Sequence, residues 1–171
     1  MNYQIRKPQL ADWESYRTHR LKMLQEFPEA YYTSYEENLL FPPEKWENYI
    51  QASLDAANSI TLGAWDQSRM IGSLTISWSD KFKTKHSAEI VGVGVEKEFQ
   101  GRGIAAALFE EALKFIKAKP QFSKVNLGVN AENLPAISLY KKFGFQESGR
   151  KRQDIKIGER YYDTLEMEMF I

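Results

Sequence analysis

Two hydrophobic periods run through this chain, one of about two residues and one of about 3.6, and they divide it into strands and helices. Residues 3–6 alternate and stop near Pro8. Asp12 suits a helix N-cap, and Trp13, Tyr16, His19 or Arg20, Met23, Leu24 and Phe27 follow at helical spacing until Pro28 ends the pattern. Residues 29–41 hold three tyrosines and no clean period. Pro42 and Pro43 open a second helix with Trp46, Tyr49, Ile50 and Leu54 on one side. Residues 59–65 and 70–78 read as a hairpin about a turn at 66–68, followed by a charged loop at 79–85.

The most informative stretch is 88–117. Residues 88–95 are apolar and β-branched apart from Glu89, Gly92 and Gly94, which predicts a buried strand. A long helix then places Ala105, Leu108, Phe109, Ala112, Leu113 and Ile116 on one face. Beyond Pro120, residues 124–129 predict a strand and residues 134–142 a short helix, with Gly144 suited to a left-handed C-cap. A strand starts at Phe145, residues 151–160 form a polar excursion or hairpin around Gly158, and residues 161–171 close the sheet. The order β-α-α-β-β-β-α-β-α-β-β is mixed α/β. No repeat, low-complexity segment or linker interrupts it, so residues 1–171 read as one domain.

Composition narrows the function. Lys plus Arg and Asp plus Glu are both 23, so no global charge favours nucleic acid or an anionic membrane. There is no cysteine and only two histidines, which argues against disulfides, a Cys nucleophile and a Cys- or His-rich metal site. No apolar run approaches the ~18 residues of a membrane span, and MNYQIRKPQL does not read as a signal peptide. These features predict a cytoplasmic protein that binds neither nucleic acid nor membrane and needs no metal.

Candidate chemistry centres on Gln100, Gly101, Arg102, Gly103, Ile104 and Ala105, between the central strand and its helix. Glycines at a helix N-terminus bring backbone N–H groups close to a ligand, where unpaired donors and the helix dipole favour phosphate. The dinucleotide fingerprint G-x-G-x-x-A also fits, but the acidic residue expected about 20 positions later is missing. The GK[ST] ending of a P-loop is missing too.

Gln100, Gly103 and Ala105 resemble the Q/R-x-x-G-x-G/A pattern of the GCN5-related N-acetyltransferase (GNAT) family. A second stretch, Asn133, Ala136, Tyr140, Lys142, Gly144 and Phe145, resembles that family's N-x-x-A-x-x-x-Y-x-K-x-G-F. The resemblance implies the acyl-CoA N-acyltransferase fold, a mostly antiparallel central sheet flanked by helices, with acetyl-CoA as cosubstrate. It implies that the Gln100–Ala105 turn holds the pyrophosphate and that the main chain of Val93, Gly94 and Val95 pairs with the pantetheine arm. Asn133 would bond that arm, and Tyr140 would serve as general acid for the departing thiolate. Without the resemblance, Asn133 is a plain N-cap and Tyr140 a half-buried aromatic.

Glu89 lies eleven residues before Gln100 on an otherwise apolar strand. Ala88-Glu89-Ile90-Val91 resembles the strand that carries the general base in the histone acetyltransferase branch, and a carboxylate in apolar surroundings is a stronger base. Other readings make Glu89 an attractor of the cationic amine or a structural ion-pair partner. Glu29, Tyr31, Tyr32 and Tyr35 could line an amine pocket through ionic and cation–π contacts, or simply pack. Arg150, Lys151 and Arg152 read as a solvated face. No Ser/His/acid set is evident, so the amine is expected to attack the thioester directly. The expected function is acetyl transfer to a primary amine of a small molecule or a peptide or protein N-terminus. The alternative is a CoA-binding sensor with little turnover. A homodimer is a family-level expectation.

Overall fold

The predicted seven strands and four helices are present, with one further short helix, in this computed structural model, which describes residues 2–171. The strands are β1 (Gln4–Arg6), β2 (Ser59–Asp66), β3 (Arg69–Trp78), β4 (Ser87–Val95), β5 (Lys124–Asn130), β6 (Gln146–Ile157) and β7 (Arg160–Phe170). The helices are α1 (Trp13–Glu26), α2 (Tyr35–Leu39), α3 (Pro43–Asp55), α4 (Ile104–Lys117) and α5 (Leu134–Lys142). One sheet has the order β1-β2-β3-β4-β5-β7-β6. Each neighbouring pair is antiparallel except β4 with β5, whose parallel pairing uses α4 as its crossover. Among the described residues no helix is long and apolar enough to cross a membrane.

Helix α4 buries Ile104, Leu108, Phe109, Ala112, Leu113 and Ile116, one turn-spaced stripe. Ala105 is only half-buried, because the stripe begins at Ile104. Phe109 is the centre of this side of the core, with ring centroids 4.9 Å from Tyr140 and 5.4 Å from Phe143. Helices α1 and α3 cover the other face. On α3, Trp46 and Ile50 are buried as the pattern predicts, but Tyr49 and Leu54 are exposed. The helix turns Ser53 inward instead, where its hydroxyl accepts the Thr61 backbone N–H at 2.7 Å.

Three local readings need correction. Asp12 does not cap α1 with its side chain. Its carboxylate accepts from Arg6 at 2.6 Å and from the Gln9 backbone N–H at 2.7 Å, which closes a 3-10 turn ahead of the helix. The aperiodic 29–41 segment contains α2, held by a reciprocal Ser34–Glu37 capping box. Of the two readings of residues 151–160, the hairpin around Gly158 holds and the excursion does not, because residues 151–157 are strand. β6 runs straight through them, and two register shifts against β7 absorb the irregular polar sequence on this edge of the sheet.

The site is prepared by what happens after Ile90. β4 and β5 pair only from Ser87/Lys124 to Ile90/Leu127. Beyond that point β4 stays with β3 and β5 stays with β7, so the two strands diverge. Across β3, Ser73 faces Gly94 while Thr75 faces Val91, so β4 spends one extra residue there. Gly92, at φ +63°, absorbs that bulge in a left-handed conformation natural to glycine.

Just past β4, Glu96 is 1% exposed yet charged. Burial alone would raise its carboxyl, but the His19 ring beside it, the hydrogen bond from Lys22 and the Arg69 charge bring it down to about 2. Lys22 Nζ donates to it at 2.8 Å, and Arg69 donates as well. The ordinary value is 4.5, so the stabilisation is complete above that pH and is lost as pH falls from 4.5 towards 2. Urea midpoints should therefore hold above pH 5 and fall below it. In Glu96→Gln the midpoint at neutral pH should drop and the acid-side fall should shrink, whereas a wild-type acid profile would remove Glu96 as its source.

Candidate active site

Two clefts meet where β4 and β5 part. The first has a volume of about 830 Å³ and runs from the divergent end of β4 to the N-termini of α4 and α5. Val93, Gly94, Val95, Gln100, Gly101, Gly103, Ile104 and Ala105 line it, and so do Asn133 and Tyr140 from the opposite wall. Of the residues expected on the cofactor side, Arg102 alone is outside this lining. Its guanidinium donates to the Glu98 carbonyl at 3.1 Å and lies over the Phe99 ring.

The turn before α4 shows why this sequence makes a cradle. Gly101 and Gly103 have φ of +73° and +78°, and a Cβ at either would meet nothing within 4 Å. The glycines are thus required by backbone conformation and by the open space in front of them, not by crowding. Gly103 is the N-cap of α4 and supplies no side-chain cap, so the first-turn N–H groups remain for a ligand. Gln100 fastens the turn by donating to the Val95 carbonyl at 3.1 Å. Asn133 does cap α5, accepting from the Ala136 N–H at 3.2 Å, and it lines the cleft as well.

Tyr140 is buried among Phe109 and Phe145, and its hydroxyl makes no hydrogen bond to the described residues. Burial, with Tyr31 nearby, pushes the phenol well above its ordinary value. It is therefore protonated at any working pH, a donor facing a cleft.

The second cleft, about 760 Å³, lies on the α1 and α3 side of the sheet. Glu29, Ala30, Tyr31 and Asn130 line both clefts, so this is where a cofactor and an acceptor could meet. Glu89 faces the second cleft, but it is exposed, and it has no ion pair or hydrogen bond to the described residues. Alternation explains the difference from the expected apolar setting. Ala88 and Ile90 point into the core, so Glu89 between them points out. The burial expected to strengthen it as a base is absent.

The tyrosines divide. Tyr31 is buried at the junction, where its hydroxyl donates to the Val93 carbonyl at 3.3 Å. Burial pushes its phenol up to about 12. Arg20 already lies over its ring, 4.3 Å from the centroid, so that face is not free for an amine. Tyr32 is 71% exposed and donates to Asp154 at 2.8 Å. Tyr35 packs beside Met23 and Leu24. Lys151, expected on a plain solvated face, lines the second cleft and pairs with Glu166 at 2.9 Å.

Sequence reasoning missed several residues. Arg20 was one of two candidates for a buried helix position, yet it reaches the cleft, close to Gly92, and donates to Thr33 Oγ1 at 3.3 Å. Asn130 ties β5 to the Glu29 carbonyl at 3.3 Å. His19 and Ser73 are in hydrogen-bond contact across 54 residues of sequence, with Glu96 beside them. The Ser/His/acid set that is not evident in the sequence therefore exists in the fold.

A split strand pair, a glycine turn and a protonated tyrosine on one cleft define a protein that binds an acyl-CoA. Residues 20–145 match the model of the acetyltransferase (GNAT) family, and the chain belongs to that family. It is 29% identical over 165 residues to the L-amino acid N-acetyltransferase AaaT of Escherichia coli, covering 95% of this chain and 94% of that one. The GNAT-family acetyltransferase of Streptococcus pneumoniae has the same fold, with a TM-score of 0.90, 22% identity and 99% of both chains covered. Arabidopsis thaliana NAA60, solved in complex with acetyl-CoA, aligns with a TM-score of 0.75 at 21% identity over 99% of both chains. The protein is an acetyl-CoA-dependent N-acetyltransferase that acts on an amine.

Gly103→Asp tests the cradle. The substitution forces a side chain into a left-handed position and puts a negative charge at the N-terminus of α4, where the phosphate is expected. CoA binding measured by calorimetry should be lost while the fold persists. Unchanged affinity in a folded variant would move the phosphate site elsewhere.

Proposed function

We propose that the acceptor is a small amine that also carries an α-carboxylate, a free amino acid. The observation that carries this is Arg20. It reaches the second cleft beside the bulge at Gly92 and has no acidic partner among the described residues. A guanidinium held by stacking on Tyr31 presents its remaining N–H groups as a fork suited to a carboxylate. An α-carboxylate held there places its α-amine within a few ångströms of the diverging strands. The relative covering 95% of this chain is named for L-amino acids, which supports the same reading.

Within that reading the residues divide the work. The N–H groups from Gly101 to Ala105 hold the pyrophosphate, and the main chain of Val93 to Val95, with Asn133, holds the pantetheine arm. This puts the thioester at the junction of the clefts. The amine attacks the thioester carbonyl, and Tyr140 donates to the sulfur as negative charge develops on it. Glu89, being exposed, acts as an unpaired negative charge that draws the ammonium form into the cleft. We place the reaction in the cytoplasm, where acetyl-CoA and free amino acids occur together.

A thiol-release assay with free amino acids, their amides, a dipeptide and spermidine tests the acceptor class. Free amino acids should be preferred over their amides, and Arg20→Gln should raise KM for the acids by about tenfold or more while leaving the amides unaffected. Preference for spermidine or for the amides would overturn the proposal. Tyr140→Phe should lower kcat by roughly 10–10³-fold with little change in CoA affinity; wild-type turnover would leave Tyr140 a packing residue. Glu89→Gln should raise the acceptor KM and spare kcat. A fall in kcat that recovers as pH rises would instead make Glu89 the base.

A further inference from the structure

One polar chain beside the junction has no part in the roles above. His19 Nε2 is 3.0 Å from Ser73 Oγ, and His19 Nδ1 lies 3.5 Å from Glu96 Oε1. His19 and Glu96 are each 1% exposed, and Ser73 lines the acceptor cleft. Ser73 sits on β3 directly opposite Gly94, the point at which β4 bulges away from its neighbours. A buried serine, histidine and carboxylate are thus lined up from the reaction junction into the core.

We propose that Ser73 and His19 carry the acceptor's proton away, with Glu96 orienting the imidazole. Ser73 is the member that touches the amine, and His19 acts through it. The ammonium gives a proton to Ser73 Oγ while the Ser73 hydroxyl proton moves to His19 Nε2. The amine is left neutral, the serine unchanged and the imidazole charged. The amine then attacks the thioester, the C–S bond breaks, and the nitrogen loses a second proton, which is matched by the one gained at sulfur. When product leaves, His19 returns its proton through Ser73 to water in the cleft. No acetyl-serine forms.

The surroundings fit a transient carrier. Burial holds the imidazole below its ordinary value, while Glu96 opposes that shift and Arg20 and Lys22 reinforce it. His19 is therefore neutral and able to accept at neutral pH. Glu96 is anchored by Lys22 and Arg69, which also pair with Glu98, so the carboxylate is fixed where a charged imidazole would meet it. His19 Nδ1 has no well-aligned partner at rest, and the 3.5 Å separation leaves room to shorten when the ring is charged. Glu89 offers none of this: it is exposed and lies five positions before Gly94 on β4.

This inference rests on acetyl transfer to an amine, not on which amine is used, so its test can fail independently of the acceptor assignment. The first measurement needs no acceptor. Nitrogen NMR of the His19 ring should show the proton on Nδ1 and a lone pair on Nε2 facing Ser73; the opposite tautomer at neutral pH would overturn the relay. The second uses whichever amine of the panel turns over. Ser73→Ala and His19→Gln should each lower kcat/KM at pH 7 by on the order of 10–10²-fold, with the acetyl-CoA KM unchanged. The double variant should be no slower than either single one, since the two act as a unit. In both, the acid limb set by His19 should vanish and the rate should follow free-amine concentration as pH rises. If His19→Gln does not fold, Ser73→Ala alone decides. A wild-type pH profile and rate in folded Ser73→Ala, or an acetyl group trapped on Ser73, would overturn the proposal.

Discussion

Everything in this molecule depends on two neighbouring strands ceasing to pair. β4 and β5 share four residue pairs and then separate, each keeping its other neighbour. A buried backbone that loses its partner leaves donors and acceptors unsatisfied, which costs free energy unless something replaces them. Here a ligand with amide groups can take that place, so the cost of the opening is also the specificity of the cleft. Tyr31 offsets part of it in the free protein by donating to the Val93 carbonyl.

The opening is held by elements on all sides. The bulge at Gly92 bends β4, and Gly94 leaves room for Tyr31 and Met23. A Cβ at Gly94 would lie 2.5 Å from the Tyr31 hydroxyl and 2.9 Å from the Met23 sulfur. The Glu96 cluster pins the end of β4 to α1 and to the start of β3, so the bulged segment is anchored at its far end by charge and at its near end by apolar pairing.

How much of this could be read from the sequence follows from the range of the interactions. The α4 stripe, the α5 boundaries and the hairpin β2–β3 rest on contacts a few residues apart, and periodicity exposes them. The glycine turn before α4 was legible for the same reason, since its glycines and the helix they start are adjacent in the chain. The long-range polar contacts of the second cleft were not. They join Asn130 to Glu29 across 101 residues and Tyr32 to Asp154 across 122. No local pattern encodes these. Glu89 shows a subtler limit: its neighbours' hydrophobicity suggested burial, but strand alternation turned it outward.

The short segment Glu29–Ala30–Tyr31 forms part of both cavities, and Asn130 ties it to β5. A wall shared by two cavities cannot respond to a ligand in one without being felt in the other. Whatever factor acetyl-CoA contributes to the affinity for the acceptor, the acceptor must return to acetyl-CoA, because the two binding free energies close a thermodynamic cycle. The effect of each ligand on the other's affinity is therefore one quantity, lodged in three residues between two helices.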